Sequence, residues 1–229
     1  MLALENKFNP SINVMEKEAK KGEEFNPYVN NEGTVMSLSG DDYIIVAGDK
    51  RISDGYSIVS RNVSKLCKLT DKCILASSGM YADIVALQKY LKARIEIYRS
   101  SNRQEPSLES IAQMLSVTLY SKRFFPYYAF NILSGQTEDG SFISYGYDAI
   151  GSYEKFKFGS TGSGGKLITP VLDKIGGTRK MNEAEAKNLV LETMNGCSCR
   201  DIYTGDKVEL MIIRKNGDFI NEEYALRND

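Results

Sequence analysis

The stretch from Gly33 to Gly79 constrains the fold of this chain more than any other part of the sequence. It contains short apolar runs rich in β-branched residues, separated by turns of Gly and Asp. The run TVMSLS alternates between the two faces of a strand, and the continuous apolar run YIIVAGD follows after a turn at 40–42. This pattern predicts a hairpin that opens a buried sheet.

Two polar residues interrupt the apolar background of this stretch. Asp49 ends the second predicted strand, and Lys65 stands just before the third. A carboxylate and an amine at strand ends, both directed at the start of the first strand, are more typical of an active site than of a surface. The pair therefore marks the candidate site.

The composition excludes several classes of function. A chain of 229 residues with 42% apolar residues forms one domain with a substantial core, and a net charge of −1 gives no attraction to nucleic acid or anionic membranes. The chain has no histidine, which excludes Ser-His-Asp and Cys-His catalysis and imidazole metal ligands within it. A nucleophile here needs another base.

The four cysteines, Cys67, Cys73, Cys197 and Cys199, are predicted to be reduced thiols, and their spacing fits no standard zinc pattern. Glu5 and Lys7 interrupt the N-terminus too early for a secretory signal. No run reaches the about 20 apolar residues that span a bilayer. The sequence therefore predicts a soluble intracellular protein without metal or cofactor, in which a redox role for Cys197 and Cys199 stays open.

The chain divides into a polar arm, residues 1–24, and a domain, residues 25–229. The arm ends in a dense mixture of charges that buries too little apolar area to fold alone, which is typical of a flexible tail or a removable propeptide. Phe25, Pro27 and Tyr28 follow it and are apolar enough to lie against a surface. They are candidate interface residues.

Apolar residues at helical spacing predict a helix over 80–98 and a second helix after Ser107, which is a suitable N-cap. Their apolar stripes are Ile84, Leu87, Leu91 and Ile95, and Leu108, Ile111, Leu115 and Leu119. Strands return over 126–158, including SYEKFKFG as one strand. A fourth helix is predicted from an Asn182 cap to about Asn195, with Gly196 ending it, and a final hairpin turns near KNGD.

Two motifs lie between these elements. SKRFFPYY joins helix to strand, and its aromatic run is a core or an interface candidate, namely Phe124, Phe125, Pro126, Tyr127 and Tyr128. GSTGSGGK lacks the Gly and the Ser or Thr that a Walker loop needs at Ser160 and Leu167, so it predicts a glycine-rich turn from a strand into a third helix.

The order is strands, two helices, strands, two helices, strands. Pairs of helices between groups of antiparallel strands predict an α+β fold, a four-layer αββα sandwich of two antiparallel sheets.

YIIVAGDKRISDG, LASSGMYAD, GSTGSGG and RDIYTGD together resemble the proteasome beta subunits of the N-terminal nucleophile hydrolase family, from about residue 25 to the C-terminus. The resemblance implies a 20S core particle of two alpha and two beta seven-membered rings, with other alpha and beta subunits as partners. It also implies ATP- and ubiquitin-dependent degradation of unfolded polypeptides within the chamber, in cytoplasm and nucleus.

In this family an N-terminal Thr attacks with its hydroxyl and uses its own amine as the base, so histidine is unnecessary. A lysine–aspartate pair adds positive charge beside the hydroxyl, and a glycine N–H stabilises the oxyanion. The resemblance assigns these roles to Lys65, Asp49 and Gly79, and the supporting shell to Ser163, Asp201 and Thr204.

Counting back from Asp49, the catalytic Thr of the family falls on Gly33, and Thr34 stands one place late. One residue of offset in a strand turns the side chain to the opposite face, so Thr34 is predicted to point away from Lys65. The chain is therefore predicted to be a non-catalytic structural subunit, with the Asp49–Lys65 pair kept as a relic. The alternative is a catalytic subunit that uses Thr34 after cleavage of the Gly33–Thr34 bond, its register restored by a bulge.

Two other functional classes compete with that of a ring subunit. A free-standing amidase of the same fold would be a monomer or simple oligomer, which its mass in solution would reveal. A nucleotide or nucleic-acid binder would need Walker residues or a basic patch, and the sequence has neither.

Overall fold

The computed structural model describes residues 26–176 and 180–227. The predicted arm, residues 1–24, and Phe25 lie outside them. The strands are β1 (Thr34–Ser39), β2 (Tyr43–Asp49), β3 (Ile52–Asp54), β4 (Ser57–Ser60), β5 (Leu66–Thr70), β6 (Cys73–Gly79), β7 (Ala129–Gln136), β8 (Phe142–Tyr147), β9 (Tyr153–Phe156), β10 (Phe158–Gly162), β11 (Lys207–Arg214) and β12 (Phe219–Ala225). The helices are α1 (Tyr81–Asn102), α2 (Leu108–Tyr120), α3 (Gly165–Gly176) and α4 (Glu183–Ser198).

Two five-stranded antiparallel sheets form the centre of the domain. One has the order β10-β1-β2-β11-β12 and the other β5-β6-β7-β8-β9, while β3 and β4 form a separate hairpin. A cluster of apolar side chains, including Val35, Ile74 and Ile132, lies between the sheets. Helices α1 and α2 pack on the outer face of the second sheet, and α3 and α4 pack on the outer face of the first. The predicted four-layer αββα sandwich is confirmed.

The predicted helix stripes are buried, and the predicted caps are formed. Ser107 Oγ accepts a hydrogen bond from the Ser110 N–H, and Asn182 forms a capping box with Glu185. The predicted end of α4 at Gly196 is wrong, because the helix continues to Ser198. A glycine ends a helix when the chain turns left-handed there, and this helix instead ends at Cys199 with right-handed backbone angles.

The prediction of SYEKFKFG as one strand is also wrong. Its first half is β9, which pairs with β8, and its second half is β10, which pairs with β1 in the other sheet. The chain crosses between the sheets at Lys157. A single run of alternating residues gives no sign of this crossing, because both halves satisfy the same pattern.

The glycine-rich run also differs from its prediction as a turn. Residues 159–162 belong to β10, and only Ser163 and Gly164 connect that strand to α3. At Gly162, φ is +101° and a Cβ atom would overlap the carbonyl oxygen of Gly33, the residue directly before the paired strand β1. The glycine therefore permits the close approach of two strands beside the candidate site.

Candidate functional site

Asp49 and Lys65 form a buried ion pair between the two sheets. Asp49 ends β2, and Lys65 directly precedes β5. The Lys65 Nζ atom lies 3.1 Å from Asp49 Oδ2, and the side chains are 1% and 0% exposed. Lys65 also donates to the carbonyl oxygens of Asp49, at 3.0 Å, and of Arg51. The three acceptors satisfy the three N–H donors of the ammonium group.

Burial governs the protonation of this pair. It raises the pKa of Asp49, against the Lys65 charge and the hydrogen bonds that the N–H groups of Thr34 and Arg51 donate to the carboxylate. Burial likewise lowers the pKa of Lys65, and the charge of Asp49 opposes that shift. Each ion is therefore stable in the interior only while the other is present.

Gly33 faces this pair and has no side chain to offer it. Its φ is +89°, and a Cβ atom built on it would lie 2.6 Å from Lys65 Nζ and 2.9 Å from Asp49 Oδ1. The Gly33 carbonyl oxygen accepts from the Ser163 N–H at 3.1 Å. The Lys65 side chain thus occupies the space that a side chain at position 33 would need.

Thr34 contacts the pair through its backbone alone. Its N–H donates to Asp49 Oδ1 at 2.7 Å. Its hydroxyl oxygen accepts from the Gly164 N–H at 2.8 Å and lies 2.7 Å from Thr204 Oγ1. The residue is completely buried. The hydroxyl thus faces another group of residues rather than Lys65.

That group is the predicted supporting shell. Asp201 Oδ2 accepts from Thr204 Oγ1 at 2.5 Å and from Ser163 Oγ at 2.6 Å. Because the Thr204 proton is directed to Asp201, the Thr34 hydroxyl is the donor in its bond to Thr204. The result is a chain of hydroxyl groups that ends on a carboxylate.

Gly79 lies across a cleft from this group. It has φ of +122°, which favours glycine, and it lines a cavity of about 350 Å³ with Ser163, Glu32 and Lys166. The N–H of Asn31 donates to the Gly79 carbonyl oxygen at 3.2 Å. The segment before Gly33 therefore runs along the rim of the cleft.

The structure brings the predicted site residues together in two groups. Gly33, Asp49 and Lys65 form one, and Ser163, Asp201 and Thr204 form the other. Thr34 connects them, with its backbone in the first and its hydroxyl in the second, and Gly79 faces them across the cleft.

Some of the predicted interface residues pack against the domain, and others are exposed. Tyr28 donates its hydroxyl to the Pro126 carbonyl oxygen at 2.7 Å, and its ring lies 5.6 Å from those of Phe125 and Tyr128. Tyr127 packs against the core beneath α1 and α2, whereas Phe124 is exposed. Pro27 is half-buried.

Sequence reasoning missed several residues of the site. Glu32 lines the cleft, and its pKa is raised by burial and then by the charge of Asp201. The backbone carbonyl oxygen of Arg51 accepts a hydrogen bond from Lys65, and its guanidinium group donates one to Asp206 at 2.7 Å. The side-chain amide of Asn31 donates a hydrogen bond to the Ser53 carbonyl oxygen and accepts one from the Tyr81 N–H. Only their nearness in sequence to Gly33 and Asp49 pointed to them.

Cys197 is a further buried neighbour of the hydroxyl groups. A Cβ atom built on Gly164 would collide with its Sγ atom, and burial raises the pKa of this thiol to about 11. Burial also raises the pKa values of the Cys67 and Cys73 thiols. All four cysteines are free thiols, and Cys199 is exposed.

We expect iodoacetamide at pH 8 to modify Cys199 roughly a hundredfold faster than Cys197 in the folded chain, because a thiol must be both accessible and deprotonated to react. Peptide mapping by mass spectrometry measures the two rates. The urea-unfolded chain, in which all four thiols should react alike, is the control. Equal rates in the folded chain would contradict the buried position of Cys197.

Within residues 26–176 and 180–227, no cluster of three or more Cys, Asp or Glu side chains is arranged to hold a metal ion. No helix among these residues combines the length and apolar character needed to cross a membrane.

Comparison with known proteins agrees with this architecture. Residues 29–213 match the family described as "Proteasome subunit". The chain is 46% identical over 222 residues to "Proteasome subunit beta type-1" of Arabidopsis thaliana, covering 92% of this chain and 99% of the relative. It is 43% identical to the Dictyostelium discoideum protein of the same name, covering 84% and 86%. It is 38% identical to "Probable proteasome subunit beta type-6" of Encephalitozoon cuniculi, covering 90% and 72%.

Proposed function

The chain belongs to the proteasome subunit family, and we propose that it is a non-catalytic beta subunit that completes a beta ring of the 20S core particle. The observation that carries this proposal is the position of Gly33. It faces the Asp49–Lys65 pair where the family's chemistry requires a threonine side chain, and Lys65 fills the space. The next residue, Thr34, presents only its backbone to the pair.

The surroundings of the Thr34 hydroxyl support the same proposal. This hydroxyl group is hydrogen-bonded to the Gly164 N–H and the Thr204 hydroxyl and also interacts with the Cys197 thiol, and none of these three groups is a base at neutral pH. General-base activation requires a proton acceptor of suitable pKa within hydrogen-bond reach. The complete burial of Thr34 also keeps a substrate carbonyl away from its oxygen.

The alternative, a catalytic Thr34, has one observation in its favour. The Thr34 nitrogen lies 2.7 Å from Asp49 Oδ1. Cleavage of the Gly33–Thr34 bond would turn this nitrogen into a free amine beside the ion pair, as the chemistry of the family demands. The hydroxyl would then have to rotate away from Thr204 to reach that amine.

In the proposed role, the surfaces of the chain serve assembly. Its partners are alpha and beta subunits, and its place is the sixth of seven in the beta ring. Unfolded polypeptides in the chamber are cut by the threonines of neighbouring subunits, while this chain lines part of the wall. The assembled complex is a threonine endopeptidase of cytoplasm and nucleus.

The N-terminal sequence of the chain in the purified core particle tests this proposal. We expect intact mass and Edman degradation to place the N-terminus before Gly33, which leaves no free amine on Thr34. An N-terminus at Thr34 would overturn the non-catalytic role. Absence of the chain from the particle would overturn its role as a ring subunit.

We also expect Thr34→Ala to leave every peptidase activity of the particle unchanged, because its hydroxyl faces no base. Each activity is measured with its own fluorogenic peptide. Thr34→Ser is the matched control, because it keeps a hydroxyl at this position. Loss of one activity by more than roughly a hundredfold in Thr34→Ala, but not in Thr34→Ser, would establish the catalytic alternative.

A further inference from the structure

The turn that follows α2, residues 121–125, carries the most exposed large apolar side chain of the described residues. Phe124 is 99% exposed and the adjacent Phe125 65%. Tyr120 and Val117, at the end of α2, are also exposed. Contiguous exposed apolar groups of this kind mark sites of interaction with other proteins. We refer to residues 121–125 as the aromatic turn.

Backbone hydrogen bonds hold the aromatic turn in one conformation. The N–H groups of Lys122 and Arg123 donate to the carbonyl oxygens of Leu119 and Tyr120, at 3.1 and 2.9 Å. The N–H of Phe125 donates to the carbonyl oxygen of Lys122 at 2.9 Å. A side chain presented by a rigid turn loses little conformational entropy on binding, which favours affinity.

The segment before Gly33 supports one side of the turn. The ring of Tyr28 stacks on that of Phe125 at 5.6 Å with an interplanar angle of 25°, and the Tyr28 hydroxyl is hydrogen-bonded to the Pro126 carbonyl oxygen. These contacts fix Phe125 against the domain. Phe124, which has no ring partner among the described residues, projects beyond it.

The charges beside Phe124 indicate what it meets. Lys122 and Arg123 are exposed, and neither contacts a carboxylate in the part of the chain that the structure describes. Other surface cations do so, for example Arg214 with Glu183 at 2.7 Å. An exposed aromatic ring that directly follows the cations Lys122 and Arg123 in one turn is complementary to an apolar pocket with carboxylates on its rim.

We propose that the aromatic turn inserts Phe124 into an apolar pocket on a neighbouring protein subunit, and that carboxylates at the rim of the pocket bind Lys122 and Arg123. This inference rests on the proposed function, because it assumes that the chain works within an assembly. A lipid surface is the less suitable partner, since electrostatic binding to anionic membranes takes clusters of about 4–8 basic residues. The turn has two, and the net charge of the chain is −1.

Photocrosslinking in the assembled particle tests the contact directly. The full chain, with p-benzoylphenylalanine in place of Phe124, is expressed with its cognate subunits, and the purified particle is irradiated. We expect a crosslinked peptide from another subunit, with Asp or Glu within a few residues of the crosslink. The same probe at Glu138, in the exposed turn between β7 and β8, controls for random labelling. Crosslinks within the chain only, or none, would overturn the proposal.

A charge swap then tests the chemistry. We expect Arg123→Glu and Phe124→Ser each to lower incorporation into the particle roughly tenfold, measured by native mass spectrometry against coexpressed wild-type chain. Lys72→Glu, a reversal of an exposed cation in the β5–β6 turn, should have no such effect. Lysine at the crosslinked carboxylate of the partner should restore the incorporation of Arg123→Glu.

The outcomes separate this inference from the proposed function. If the wild-type chain is absent from the particle, the proposed function fails. If it is present and the aromatic-turn variants are incorporated equally well, only the inference fails. Binding of the full chain to phosphatidylserine vesicles that is lost in Phe124→Ser would also overturn it in favour of a membrane contact.

Discussion

Replacing Lys65 with methionine is expected to lower the free energy of unfolding by about 3–5 kcal/mol, because it leaves the Asp49 carboxylate buried without its counterion. Asp49 is 0% exposed, and Lys65 is its only cationic partner among the described ion pairs. Methionine keeps most of the apolar stem of the lysine, so the lost packing is small. Urea denaturation of the purified chain measures the change.

The pH dependence of stability identifies the cause of the destabilisation in Lys65→Met. In Lys65→Met the pKa of Asp49 should be raised further, because burial already raises it and Lys65 is what opposes the shift. A carboxyl group whose pKa is higher in the folded than in the unfolded state favours folding fully below its unfolded pKa of about 3.9. That contribution to stability is lost as the pH rises through the folded-state pKa, because the carboxyl group must then ionise in the interior. The destabilisation should therefore be smallest near pH 4 and grow toward neutral pH.

Two further variants complete this prediction. Asp49→Asn/Lys65→Met should be less destabilised than the sum of the two single variants, because neither charge is then stranded. Lys180→Met removes the ion pair between Lys180 and Asp41, whose side chains are 91% and 68% exposed, and should leave the free energy of unfolding nearly unchanged because solvent screens an exposed pair. A loss in Lys65→Met no larger than that in Lys180→Met would show that the buried pair is not stabilising.

Gly33→Ala should lower the free energy of unfolding by about 2–4 kcal/mol, through a left-handed backbone and a steric clash together. The new methyl group would lie 2.6 Å from Lys65 Nζ, so the ammonium would have to move away from its three acceptors. Urea denaturation again gives the change. A threonine at this position would need still more space than alanine.

Gly217→Ala is the matched control for Gly33→Ala. Gly217 has φ of +91°, close to the +89° of Gly33, and a Cβ atom there meets nothing within 4 Å. Gly217→Ala should lower the free energy of unfolding by about 1–2 kcal/mol, because only the left-handed backbone conformation disfavours alanine there. If both variants lose the same stability, the space beside Lys65 is free, and the argument that Lys65 replaces a side chain at position 33 is wrong.

Most of the fold follows from periodicity in the sequence. The stripe from Ile84 to Ile95 and the alternation in TVMSLS each show which face of a local element is apolar, and the structure buries those faces. The predictions that are wrong concern features that depend on residues distant in the sequence or on the local backbone path. The split of SYEKFKFG between two sheets depends on which partner strand each half meets, and the extension of α4 past Gly196 depends on the backbone angles near Cys199.

The residues of the candidate site likewise divide into those that local sequence predicts and those that depend on distant parts of the chain. Asp49 and Lys65 are recognisable in the sequence because one charged residue ends an apolar strand and the other directly precedes one, and counting along the chain assigns Gly33 to the position that faces them. The contact between Thr34 and Thr204 joins residues 170 positions apart, so no local pattern could reveal it. The exposure of Phe124 was equally hidden, because an aromatic run is compatible with a core and with a surface.

The sequence by itself determined the layered architecture and the absence of a side chain at position 33, because both depend on residue type and spacing along one strand. Only the tertiary structure decided that Lys65 fills the space beside Gly33, that the Thr34 hydroxyl joins a chain of hydroxyl groups ending on Asp201, and that Phe124 lies outside the core. These contacts depend on how two sheets approach each other. That approach is set by the packing of whole layers, and no short segment of sequence contains it.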